Sequence, residues 1–182
     1  MSKRMMSLVF AGAALAACTA QREADEGLQT SSVSVASARA ELGDASGTGR
    51  ATANATQEER GVRVRVAAAD LAPGAYGAHV HMVGRCEPRD FVSAGDHWNP
   101  AGRQHGKDNP SGAHAGDLPN LSVGSDGRGS YEYLIEGAAL GGGAGAMLDG
   151  DGASVVIHAQ ADDYRTDPSG NSGTRIACGV LR

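Results

Sequence analysis

The 182-residue chain carries six histidines, and they fall into three groups. His79 and His81 flank Val80. His97, His105 and His114 lie in one irregular stretch that closes on Asp117, and His158 stands alone. On a strand, residues i and i+2 point to the same face, so His79 and His81 converge on one point outside it. The stretch GDHWNPAGRQHGKDNPSGAHAGD, residues 95–117, offers three imidazoles and a carboxylate. Such a donor set fits a tetrahedral zinc site. The stretch has no apolar periodicity, and long structureless loops inside compact domains are usually functional or disordered. An ion held by its histidines would supply the order that the loop lacks. Spacing alone does not name the ion, because imidazole-rich sites take zinc, copper or nickel. Taken by itself, His158 is an ordinary core or surface histidine.

The elements that position these residues read as β-strands. In GVRVRVAAAD, Val62, Val64 and Val66 alternate with Arg63 and Arg65, the period of a half-buried strand. SYEYLIE sets Tyr131, Tyr133 and Ile135 against Ser130, Glu132 and Glu136. ASVVIHA and TRIACGVL are short β-branched runs. SVSVASARAEL, GTGRATANAT, YGAHVHMV and PNLSVG are weaker strand candidates. About eight strands separated by turns such as DGRG and DGDG predict an all-β sandwich or barrel. Long irregular inserts are expected at 84–117, 137–152 and 160–174.

The N-terminal MSKRMMSLVFAGAALAACTA has a basic start at Lys3 and Arg4 and an apolar run from Met5 to Ala17. The run is too short for a permanent bilayer span and reads as an export signal. Leu15-Ala16-Ala17-Cys18 resembles a bacterial lipobox. That resemblance implies cleavage before Cys18 and lipidation of it, with Thr19 favouring the outer membrane. A tether to residue 34 and a domain over 35–182 would follow. If Cys18 is acylated, Cys86 and Cys178 are left in a compartment where a disulfide can persist, and the sequence does not decide whether they pair. The full chain has 16 basic and 21 acidic residues; without Lys3 and Arg4 it has 14 against 21, a net charge of −7. This balance argues against nucleic acid as a partner, which calls for a basic patch. Any anionic substrate needs a local positive site.

YGAHVHMVG, AGDHWNPAGRQHG, HAGDLPN, VVIHAQADD and GTRIACGVL together resemble, in order and context, the Cu/Zn superoxide dismutases. The resemblance covers residues 35–182. It implies an eight-stranded Greek-key β-barrel with long metal-binding and active-site loops, and the bacterial lipoprotein form of the enzyme. Copper would be held by His79, His81, His97 and His158, and zinc by His97, His105, His114 and Asp117, with His97 bridging them. One ion of each is implied per subunit. It also implies a Cys86–Cys178 disulfide. Asp162 would be the carboxylate joining a copper-side to a zinc-side histidine, and Arg175 the guanidinium beside the copper channel.

The implied activity is dismutation of superoxide to O2 and H2O2 by alternate reduction and oxidation of copper. The implied place is the cell envelope, with the protein lipid-anchored and periplasmic. A copper- and zinc-binding protein of the same fold with little turnover is the alternative. Monomer and homodimer are both compatible with the sequence. Tyr76, Ala78, Met82 and Trp98 depart from the family's usual residues, and none of them is a ligand position.

Overall fold

The computed structural model describes residues 36–182. The expected signal segment 1–17, the candidate lipidation site Cys18 and the tether through residue 34 lie outside the described residues. Strands β1 (Ser37–Gly43), β2 (Gly49–Glu58) and β3 (Gly61–Ala68) form an antiparallel meander. Their alternation is the one read in the sequence. Leu42, Ala53, Ala55, Val62, Val64 and Val66 turn inward and are fully buried. On the outer face Arg63 pairs with Glu58 and Arg65 with Glu132.

β4 (Gly74–Tyr76), β5 (Ala78–His81), β6 (Leu121–Val123), β7 (Gly129–Glu136), β8 (Ser154–His158) and β9 (Arg175–Val180) complete the domain. Seven strands make one antiparallel sheet in the order β5-β8-β9-β1-β2-β3-β7, and β4 pairs with β6. The sheet curls around a core of Val, Ile, Leu and Ala with Tyr76 and Trp98. No helix among the described residues is long and apolar enough to cross a membrane.

Nine strands stand where eight were expected, because YGAHVHMV breaks at Gly77. The Gly77 N–H donates to the Gln160 carbonyl, and its own carbonyl accepts from His158. A Cβ there would lie 2.8 Å from the Ser172 side chain, so the chain can turn this corner against the neighbouring loop only as glycine. Tyr133 has the expected phase but stays 40% exposed, since β7 is a sheet edge.

Every residue of β5 and β8 is buried, on both faces. Val80, Val155 and Ile157 meet the main core. The other face carries His79, His81, Val156 and His158, and the inserts 84–117 and 160–174 cover it. The loop after β5 is stitched to Cys178 of β9 by the Cys86–Cys178 disulfide, with Cα atoms 5.7 Å apart. Phe91, Ala94, Val156 and Cys178 form a small second core beneath it.

Candidate metal centre

The loop 95–117 has more to order it than an ion. Trp98 is buried, and its backbone N–H donates to the Val80 carbonyl. The Gly116 N–H donates to Trp98, and the Val80 N–H donates to Gly116. Backbone bridges join His81 to His97 and His79 to Asp117. The loop therefore runs beside β5 like a further strand at both of its ends. The absence of apolar periodicity hid this, because one tryptophan and main-chain bonds do the anchoring.

All six histidines and Asp117 gather against β5 and β8. His79, His81, His97 and His158 are buried, and their nearest ligand atoms lie within 4.8 Å of one another. Three of these rings are oriented by acceptor-only partners. The His79 Nε2–H donates to Asp162 Oδ2 at 3.0 Å, the His81 Nδ1–H to the Gly95 carbonyl at 2.9 Å, and the His158 Nδ1–H to the Gly173 carbonyl at 3.2 Å. Each ring thus keeps its proton on the anchored nitrogen and a bare lone pair on the other.

Those bare nitrogens are His79 Nδ1, His81 Nε2 and His158 Nε2. With His97 Nε2 they are buried and have no hydrogen-bond partner. Buried polar atoms are rarely left unpaired, and four converging imidazole nitrogens are an incomplete coordination shell. Burial lowers the His79 pKa to about 3 and that of His158 to about 4, and it lowers His81 and His97 as well. All four are neutral imidazoles at pH 7, the form that ligates a metal.

The second group centres on Asp117. Its Oδ1 lies 2.8 Å from His97 Nδ1, 3.0 Å from His105 Nδ1 and 3.2 Å from His114 Nδ1. Three ring nitrogens crowding one carboxylate oxygen offer a donor set of the kind a tetrahedral cation site uses. The His79 ligand atom also falls within 4.8 Å of those of His97, His105 and Asp117. His79 nevertheless belongs with the first group, since one of its nitrogens is given to Asp162 and the other is among the unpartnered four. Asp117 Oδ2 accepts from the backbone N–H of Gly106 and of His114, which fixes the carboxylate. Burial alone would raise the Asp117 pKa. The bonds from His105, His114 and His97 outweigh it and hold the group far below the usual carboxylate range.

His105 lies between two carboxylates, Asp117 at Nδ1 and Asp162 at Nε2. Burial opposes its charge, yet the two acids raise its pKa to about 9. The position demands positive charge, from a proton or from a metal.

Asp162 joins the groups. Its Oδ2 accepts from His79 and its Oδ1 from His105 at 2.9 Å. Asn120 grips the Asp162 backbone at both its N–H and its carbonyl. Asn120 was not legible in the sequence, because an Asn after a Pro in a loop carries no signal of a partner 42 residues away. Gly170 was also missed. Its φ is +64°, and a Cβ there would sit 1.8 Å from Asp162 Oδ1 and 2.7 Å from His105 Nε2. Gly170→Ala is therefore expected to push Asp162 off both histidines. Affinity at each metal position should fall by about tenfold or more. Competition titration with chelators would read it, and unchanged affinity would mean that the loop yields without moving Asp162.

A cleft of about 520 Å³ opens over the first group, lined by Met82, His97, Trp98, Arg103, His158 and Arg175. The Arg175 guanidinium is clamped by the Phe91 and Gly95 carbonyls, both at 2.8 Å. It forms no contact ion pair among the described residues and lines the cleft, with Asp96 and Asp90 acting on its charge from a distance. Met82, 45% exposed, forms part of the rim. Tyr76 lies elsewhere: its hydroxyl donates to the Ala72 carbonyl, and Ala78 is fully buried.

The chain's similarity to known proteins agrees with this chemistry. The family described as copper/zinc superoxide dismutase (SODC) matches residues 46–181. The superoxide dismutase-like protein YojM of Bacillus subtilis (strain 168) is 47% identical over 126 residues, which cover 68% of this chain and 64% of that protein. A superoxide dismutase [Cu-Zn] of Caulobacter vibrioides is 39% identical over 150 residues, 81% of this chain and 85% of that one. A crystal structure of a SOD-like protein from Bacillus subtilis superimposes with a TM-score of 0.75 at 40% identity, covering 79% of this chain and 97% of that one.

Proposed function

Since this chain belongs to the copper/zinc superoxide dismutase family, we propose that it converts two superoxide anions and two protons to O2 and H2O2. The observation that carries the reading is the set of four buried, unpartnered imidazole nitrogens beneath a cleft that also holds Arg175. In this reading His79, His81, His97 and His158 hold copper, and His97, His105, His114 and Asp117 hold zinc. His97 would belong to both sets, with Nδ1 beside Asp117 and Nε2 among the unpartnered four. Copper held there would supply one-electron redox chemistry.

The chain's own residues do the rest. Arg175 attracts the anion into an otherwise acidic protein and orients it, and the walls of the cleft concentrate that local field. His97 is the one ring of the four whose other nitrogen meets Asp117 rather than a backbone carbonyl or Asp162. Released from its ligand role, Nε2 of this ring could take up a proton and pass it to peroxide. Asp162 and the Gly95 and Gly173 carbonyls hold the other three rings in the ligating tautomer throughout.

One observation favours a second reading, that of a metal-binding protein with little turnover: the 47% identical relative is named only superoxide dismutase-like. The test is superoxide consumption by the disulfide-bonded domain from residue 19 onward, loaded with copper and zinc, against the same protein without metal. Fast, copper-dependent consumption is expected. Full occupancy with negligible consumption would establish the second reading.

We place the protein on the cell envelope, facing the periplasm, because Leu15-Ala16-Ala17-Cys18 ends an apolar run behind Lys3 and Arg4. Thr19 favours the outer membrane. Cys18→Ser is expected to shift the expressed protein from the membrane fraction to the soluble one, with no loss of metal binding. A variant that stays with the membrane would remove the anchor.

A further inference from the structure

We propose that Asp167 is a positioning residue for the zinc-side histidines, a second carboxylate latch between the loop after β8 and the loop 95–117. The inference rests on the zinc assignment above. In a metal-bound imidazole, the ring nitrogen turned away from the metal carries a proton, and the acceptor it meets fixes the ring's orientation and basicity. Two of the three zinc-side rings have that nitrogen accounted for. His105 gives Nε2–H to Asp162, and His97 turns Nε2 towards the copper-side group.

His114 is the third, with Nδ1 directed at Asp117. Its Nε2 lies 3.9 Å from Asp167 Oδ1. That separation suits an ion-pair contact or a bridging water rather than a direct hydrogen bond. His114 is the only ion-pair partner of Asp167 among the described residues. The same Oδ1 accepts from the His105 backbone N–H at 2.6 Å.

One carboxylate oxygen thus fixes where His105 enters the site and also faces the outer nitrogen of His114. Asp162, five residues earlier, holds the His105 ring. A cation at Nδ1 of His114 would polarise the ring and make its Nε2–H a better donor towards Asp167. The Asp167 side chain is half exposed, which leaves room for a bridging water between it and His114 Nε2. Nothing in the dipeptide Asp167-Pro168 announces this role. It follows from the loop returning over His105 and His114.

The experiment uses the copper- and zinc-loaded protein and measures zinc release to a chelator, with copper retention read in parallel. Asp167→Asn keeps an oxygen acceptor for the His105 N–H but removes the charge; Asp167→Ala removes both. Asp167→Asn is expected to release zinc about tenfold faster, with copper retained and the thermal unfolding of the metal-free protein unchanged. It should also shift the visible spectrum of Co2+ placed in the zinc position, which loosening of a distant loop would not do. Asp167→Asn releasing zinc at the parent rate would overturn the proposal, and so would a loss confined to Asp167→Ala. A parent protein that binds no zinc would instead overturn the assignment beneath it. None of these readouts depends on superoxide turnover.

Discussion

His158→Ala is expected to reduce superoxide consumption to the level of metal-free protein while zinc stays bound. His158 Nε2 is one of the four unpartnered nitrogens, and its other nitrogen is committed to the Gly173 carbonyl. It has no contact with Asp117, whose oxygens collect only His97, His105, His114 and two backbone N–H groups. Its closest ring neighbour is His79, with centroids 4.8 Å apart, against 6.1 Å to His97. Losing an outer partner of a ligand costs about 10- to 100-fold, and losing the ligand itself should exceed that. Metal analysis alongside a superoxide assay reads both halves of the prediction. Full activity in a folded His158→Ala protein would remove copper from this set of residues.

The second large effect concerns the Cys86–Cys178 bond. It closes a sequence separation of 92 residues, for which the chain-entropy argument gives about 4–5 kcal/mol. The paired variant Cys86→Ser, Cys178→Ser is expected to approach that loss in urea unfolding of the metal-free protein. It should also weaken anion binding at the loaded site. Arg175 is clamped by the carbonyls of Phe91 and Gly95, and both belong to the loop that the disulfide holds down. A loss below about 1 kcal/mol would mean that Phe91 and Ala94, packed on Val156, hold the loop by themselves.

The regular part of the molecule was readable because its faces alternate. Val62, Val64 and Val66 stand inward with Arg63 and Arg65 outward, as period two demands. His-Val-His gave the convergence of His79 and His81 for the same reason. The histidine-rich loop could be recognised as a site but not traced. Its ends are strand-like through main-chain bonds to Val80, and such bonds leave no mark in side-chain pattern. The ninth strand was invisible because a glycine inside an alternating run is equally consistent with a continuous strand. Only the approach of Ser172 and Gln160, more than 80 residues on, makes Gly77 a corner. Asp162, Asn120, Asp167 and Gly170 act on partners tens of residues away, so no local rule could single them out. For Asp162 the family resemblance supplied what local reasoning lacked.

The Gly95 carbonyl accepts from His81 Nδ1 and from Arg175 Nη2 alike. The His81 ring and the Arg175 guanidinium therefore take their bearings from a single oxygen. Phe91, inside the segment 84–94, holds Arg175 but not His81. A drift of that segment should therefore move the guanidinium relative to the ring, whereas a shift of Gly95 displaces the reference of both. Gly95 is itself constrained: at φ +74°, a side chain would strike Val83 at 2.9 Å.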